Sequence, residues 1–168
     1  WFGTNGGAYI YDPAAAAAGK KALTNISTSD GLCHNSVNCI LEASNGDFWF
    51  ATHHNGICRW NGTSFTNFTP EHGVQGTEAW DLFEDAAGNI WFPTEGFGVY
   101  RYNHGTEASF TNFYESEGLG SRAVQCTYQD TEGRIWCGGY LGLFRNDPAG
   151  SRVQGKRFVS VSKGGPWP

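Results

Sequence analysis

The sequence has no methionine and no apolar run near the roughly 20 residues needed to cross a bilayer as a helix. It also lacks a sustained helical period; the one helix-friendly stretch is Ala14 to Ala18. Charge is sparse, and the 11 basic residues are scattered singly, so the basic stripe of a nucleic-acid binder is missing. A net charge of −5 bears only on solubility. There is no Gly-x-Ser-x-Gly elbow, and the Gly-x-Gly patterns follow strands without opening a helix, which argues against nucleophilic and phosphate-binding chemistry. The five cysteines, Cys33, Cys39, Cys58, Cys126 and Cys137, form no CxxC pair and no zinc spacing. They read as small buried hydrophobes, with Cys126 and Cys137, which flank one hairpin, as the candidate disulfide. Because Trp1 already lies inside a strand pattern, a processed product or a piece of a longer chain is expected, with no signal peptide left to read.

Glycine and aromatic residues are abundant: 24 Gly, 7 Trp, 7 Tyr and 12 Phe. Glycine supplies tight turns and aromatics favour half-buried pleated strands, so the mixture reads as all-β with many short turns. Four segments align as copies of one another: Trp1-Phe-Gly-Thr4, Trp49-Phe-Ala-Thr52, Trp91-Phe-Pro-Thr94 and Trp136-Cys-Gly-Gly139. Their spacings of 48, 42 and 45 residues match the period of a propeller blade.

Each later anchor sits in the same order of elements. A strand precedes it (36–43, 78–85 or 123–130), followed by a Gly turn at Gly46, Gly88 or Gly133. After the anchor come a second Gly turn and a third strand (56–60, 98–102, 142–146). The fourth strand repeats outright as Ser64-Phe-Thr-Asn-Phe68 and Ser109-Phe-Thr-Asn-Phe113, with weaker copies at 22–26 and 157–161. The expected fold is a β-propeller of four-stranded antiparallel blades, about four here, at approximately 1–32, 33–74, 75–119 and 120–168. About fifteen strands and almost no helix are expected, with the anchor tryptophans largely buried in second strands. Trp49, Phe50, Trp91, Phe92 and Trp136 are read as the packing between blades. The stretch Asp12–Gly19 reads as a surface insertion with one helical turn. Because the first repeat lacks an opening strand, the chain is expected to be part of a larger ring or joined to other copies through its ends.

The repeats resemble the two-component regulator propeller repeats of bacterial sensor proteins. The resemblance rests on Glu84-Asp85, Gly88-Asn-Ile-Trp91-Phe-Pro-Thr94 and Gly98-Val-Tyr-Arg101-Tyr102, and on their counterparts from Ser36 to Trp60. The last copy departs from the pattern at Cys137-Gly-Gly139. The resemblance implies an exported protein, periplasmic, secreted or at the cell surface, and a ring usually closed by about seven blades.

In a propeller the turns between second and third strands and the links between blades share the face around the channel mouth. That placement gathers His34, His53, His54, Asn55, Glu78, Trp80, Glu95, Phe97, Arg122 and Tyr140, with Asn5 and Asn35 beside them. The mixture suits a small polar ligand or a peptide. No cofactor is implied. Neighbours on a strand point to opposite faces, so His53 and His54 are not expected to chelate one ion together, although either could meet Glu95 of the next blade. Trp91-Phe-Pro-Thr-Glu95 resembles a motif of streptogramin lyases, propellers that use His, Glu and a divalent metal on this face. Asn25, Asn61 and Asn67 open formal glycosylation sequons that the repeat pattern explains equally well. The first reading is a non-catalytic ligand-binding or sensing module. The alternatives are a structural, self-assembling module and, third, a metal-assisted lyase.

Overall fold

Alternating apolar positions and glycine turns fold the chain into fifteen strands among the described residues, which are 1–105, 110–120, 123–146 and 155–161 of the computed structural model. The first sheet has three strands: β1 (Phe2–Thr4), β2 (Gly7–Tyr11) and β3 (Leu23–Ile26). The second holds β4 (Val37–Glu42), β5 (Phe48–Thr52), β6 (Ile57–Trp60) and β7 (Phe65–Phe68). The third holds β8 (Phe83–Glu84), β9 (Ile90–Thr94), β10 (Gly98–Tyr102) and β11 (Phe110–Phe113). The fourth holds β12 (Val124–Gln129), β13 (Ile135–Gly139), β14 (Gly142–Asn146) and β15 (Phe158–Val161). Neighbouring strands pair antiparallel in sequence order, as propeller blades do. The hairpin glycines Gly46, Gly88 and Gly133 take left-handed φ of 85°, 80° and 77°, which is why glycine recurs there. The insertion between β2 and β3 carries a short α-helix, α1 (Pro13–Ala17), with Pro at its start and the Asp12 carboxylate capping the N–H groups of Ala14 and Ala15.

The repeat residues build the blade in a regular way. Trp49, Trp91 and Trp136 pair across the sheet with Arg59, Arg101 and Arg145, whose guanidinium groups lie 5.9, 5.6 and 5.6 Å from the indole centres. Asp85 accepts the Trp91 indole N–H at 2.7 Å and also the backbone N–H groups of Ala87 and Asn89. Asp130 does the same for Trp136, Glu132 and Arg134. Partial burial opposes ionisation of Asp85, but these hydrogen bonds outweigh it and hold the carboxyl below its ordinary range.

Along the second strands the side chains alternate between neighbours. Trp49 joins a cluster with Phe92 and Tyr100 of the third sheet, whereas Phe50 joins one with Ala8 of the first. Trp91 then faces Cys137 and Phe144 of the fourth. Between blades, Ser44 donates to Glu84 from its N–H (2.8 Å) and its hydroxyl (2.6 Å), and the Ala86 N–H donates to Gln129 (2.8 Å) at the equivalent place.

Three expectations need correction. The strand expected over 78–85 is reduced to Phe83–Glu84 and one bridge at Ala79; in the gap between them the Asp81 carboxylate accepts from the N–H (2.7 Å) and hydroxyl (3.1 Å) of Thr127 in the next blade. Trp136 is only half-buried, since its side of the fourth sheet meets no further blade among the described residues; Trp1 precedes β1 and is half-buried against Phe48 and Phe50. Cys126 and Cys137 are not joined. The register pairs Cys137 with Thr127, which puts Cys126 on the opposite face, exposed.

Cys33 and Cys58 meet instead, both buried, with sulfurs 2.7 Å apart. Burial pushes the Cys58 thiol well above its ordinary range. Glutathione disulfide should oxidise this pair by exchange: the Cys33–Cys58 bond forms, the glutathione S–S bond breaks, and two glutathione thiols leave with the two electrons and two protons. A thiol assay on the unfolded product should then find two fewer than the original five thiols, and peptide mapping should place the bond at Cys33–Cys58. Retention of all five thiols would contradict the placement.

Candidate functional site

The residue four places after each anchor tryptophan is Asn5, His53, Glu95 or Tyr140, where the second strand turns into the third. In three blades that residue is tied to the incoming link: the N–H groups of His53, Glu95 and Tyr140 donate to the carbonyls of Ser36, Glu78 and Ala123 at 2.9, 2.9 and 3.1 Å. In the first, the Asn5 amide oxygen accepts from the Ser36 hydroxyl at 2.9 Å. The repeat thus fixes one backbone position around the mouth and varies the side chain there.

The blade-two turn is the best anchored. β5 ends at Thr52, whose buried hydroxyl faces the carbonyls of His54 and Gly56. Asn55 takes a left-handed φ of 64°, and its side-chain amide donates to the Cys33 carbonyl at 3.0 Å. His53 and His54 therefore lie on a bend, beyond the strand alternation, and their rings come within 4.5 Å of each other. This overturns the expectation that they point apart.

Other links add to this pair. Glu78 Oε1 lies 3.2 Å from His53 Nε2, and the Trp80 ring stands edge-on to His53 at 5.6 Å. The His34 ring meets His54 at 4.9 Å, while its Nδ1 accepts the Ser36 N–H at 3.0 Å. Slight burial, then the neighbouring imidazoles of His54 and His53, lower the His34 pKa. A side-chain hydrogen bond with Glu78, and the charge of that carboxylate, raise Glu95 above its ordinary range. One ligand atom each from His53, His54 and Glu78 fall within 4.8 Å of one another.

The remaining candidates divide. Asn55 is committed to holding the turn. Phe97 and Tyr140 are exposed at the turn tips of the third and fourth blades. Arg122 lies outside the described residues. A cleft of about 270 Å³ that the sequence reading missed opens between blades two and three, at the turns of the other face, lined by Asn45, Asp47, Arg59, Glu84, Tyr102 and His104. Its Arg59 and Glu84 recur at equivalent places in other blades, as Arg101 and Gln129, and serve blade packing. His53, His54 and Trp80 have no such counterparts, so the mouth cluster is the stronger functional candidate.

Residues 31–54 and 118–140 match the family model of the two component regulator propeller. Among solved structures, one described as the extracellular domain of the hybrid two component system BT3049 of B. thetaiotaomicron superposes with a TM-score of 0.81 at 22% identity, over 96% of this chain and 21% of that one. The extracellular domain of the one component system BT4673 of the same organism gives 0.73 at 21% identity, over 96% and 23%. PorZ, a surface component of the type-IX secretion system of Porphyromonas gingivalis, gives 0.65 at 16% identity, over 94% and 24%. The chain spans about a fifth to a quarter of the length of these structures, and at such identities the likeness is one of fold. A search of the curated proteins finds no match.

Proposed function

Because the chain carries repeats of the two component regulator propeller family, we propose that it is a segment of an extracellular sensing propeller that binds a small polar ligand or a peptide and catalyses no reaction. The observation that carries this reading is the convergence of His34, His53, His54, Glu78, Trp80 and Glu95 from two blades and their links on one face. Imidazoles and carboxylates offer polar contacts, and the exposed indole offers a flat apolar one, the combination expected of a site for a polar organic ligand. The extracellular assignment draws support from the two B. thetaiotaomicron domains. No helix among the described residues is long and apolar enough to cross a membrane.

The test is a ligand-observed NMR screen of short peptides, amino acids and oligosaccharides against the full chain and four variants. His53→Ala and Trp80→Ala should each abolish the signal of a bound compound while changing stability by about 0.5 kcal/mol or less, as surface substitutions do. Asn45→Ala and Glu132→Ala, on the opposite turns, should bind normally. Loss of binding in the second pair, or a compound held equally well by all four, would contradict the assignment of the face.

A further inference from the structure

We propose that His53, His54 and Glu78 form a zinc site at the channel mouth, with one coordination position left open. The inference goes beyond the sensing reading and stands or falls without it, since a cation can be held there whether or not an organic ligand binds.

Two imidazole nitrogens and one carboxylate oxygen are the borderline set that suits zinc, whereas calcium and magnesium call for six or more oxygens. Three protein ligands fall one short of a tetrahedron, leaving a place for water or a ligand atom.

A tetrahedron with bonds of about 2.05 Å has edges of roughly 3.3 Å. The separation of 3.2 Å between His53 Nε2 and Glu78 Oε1 already has that length. All three ligand atoms lie within 4.8 Å, so the remaining closure is on the order of an ångström and can come from side-chain torsions.

The backbone beneath is held in place. Thr52 and Asn55 fix the histidine turn, and the Glu95 N–H donates to the Glu78 carbonyl, fixing the link that carries the carboxylate. An ion pair alone would account for His53 and Glu78 but would not call for His54 at the same point. His34 stays outside the ligand set, because its Nδ1 is occupied by the Ser36 N–H. Its ring packs edge-on against His54 and so acts to orient a ligand.

Tag-free full chain, stripped with chelator, should bind one zinc ion per chain in isothermal titration at about micromolar affinity or tighter. Cobalt in place of zinc should give the visible absorption of a four-coordinate site. His53→Ala, His54→Ala and the near-isosteric Glu78→Gln should each weaken zinc by about tenfold or more, with unchanged circular dichroism. His104→Ala, on the other face, should bind as the parent does. If an alanine variant fails to fold, Glu78→Gln reads the same site with shape retained. Absence of saturable zinc binding, or binding that persists in the His53→Ala/His54→Ala double variant through the cysteines, would overturn the proposal.

Discussion

Trp91→Ala should destabilise the folded chain by about 3–5 kcal/mol, the cost of emptying a large aromatic core site. Trp91 is 2% exposed and lies nearly parallel to two rings, Phe83 at 6.1 Å and Phe113 at 5.1 Å. Arg101 covers it, and Asp85 accepts its indole N–H. Removal would open a cavity between the third and fourth blades and leave the Asp85 carboxylate with one hydrogen bond fewer. Trp136→Ala, at the same position of the repeat, should cost less than half as much, because that indole is only half-buried although it keeps its bond to Asp130. Chemical denaturation followed by circular dichroism measures both. A loss under about 1 kcal/mol at Trp91 would contradict its place between blades, and equal losses at the two sites would contradict the openness of the fourth.

The architecture was legible in the sequence because it is written several times over. One Trp-Phe-x-Thr strand is ambiguous, but its recurrence with glycine turns and two identical Phe-Thr-Asn-Phe segments leaves little but a blade. What escaped depends on relations between blades or on where a strand stops. Asp81 lies in the gap of its strand, and its partner, Thr127, sits in another blade. His53 and His54 converge because β5 ends one residue before them, and an alternation rule says nothing past that end. Cys33 and Cys58 come from a link and a third strand, so no local spacing announced their contact. The error at Cys126 and Cys137 is one of register: flanking a hairpin does not place two side chains on one face. The equivalence of Asn5, His53, Glu95 and Tyr140 was legible, since they follow the anchor tryptophans at one spacing. Which of them meet was not.

The two ends of the row of blades carry the second large expectation. Phe2, Tyr11 and Leu23 are 56%, 48% and 45% exposed and, with Thr4 and Tyr9, line an apolar hollow of about 450 Å³ on the first blade. On the fourth, Cys126, Tyr128, Trp136, Gly138 and Leu143 line another of about 480 Å³. The buried clusters join blade one to two, two to three and three to four, and none joins four to one among the described residues. Phe2 stands where Phe50 and Phe92 face backward in their blades, whereas Trp136 stands where Trp49 and Trp91 face forward. The open faces are therefore front and back of the same packing, so each can receive a further blade, whether of a longer ring or of another copy.

If the blades form an open arc whose end faces need covering, the solution mass of the 168-residue chain will show it. As an isolated segment, with no further blade on those faces, the chain should self-associate and run above 18.3 kDa by light scattering on chromatographed protein, and Tyr128→Glu with Leu143→Glu should return it to a single copy. A monodisperse 18.3 kDa monomer at all concentrations, with the first and fourth blades cross-linked to each other, would contradict it.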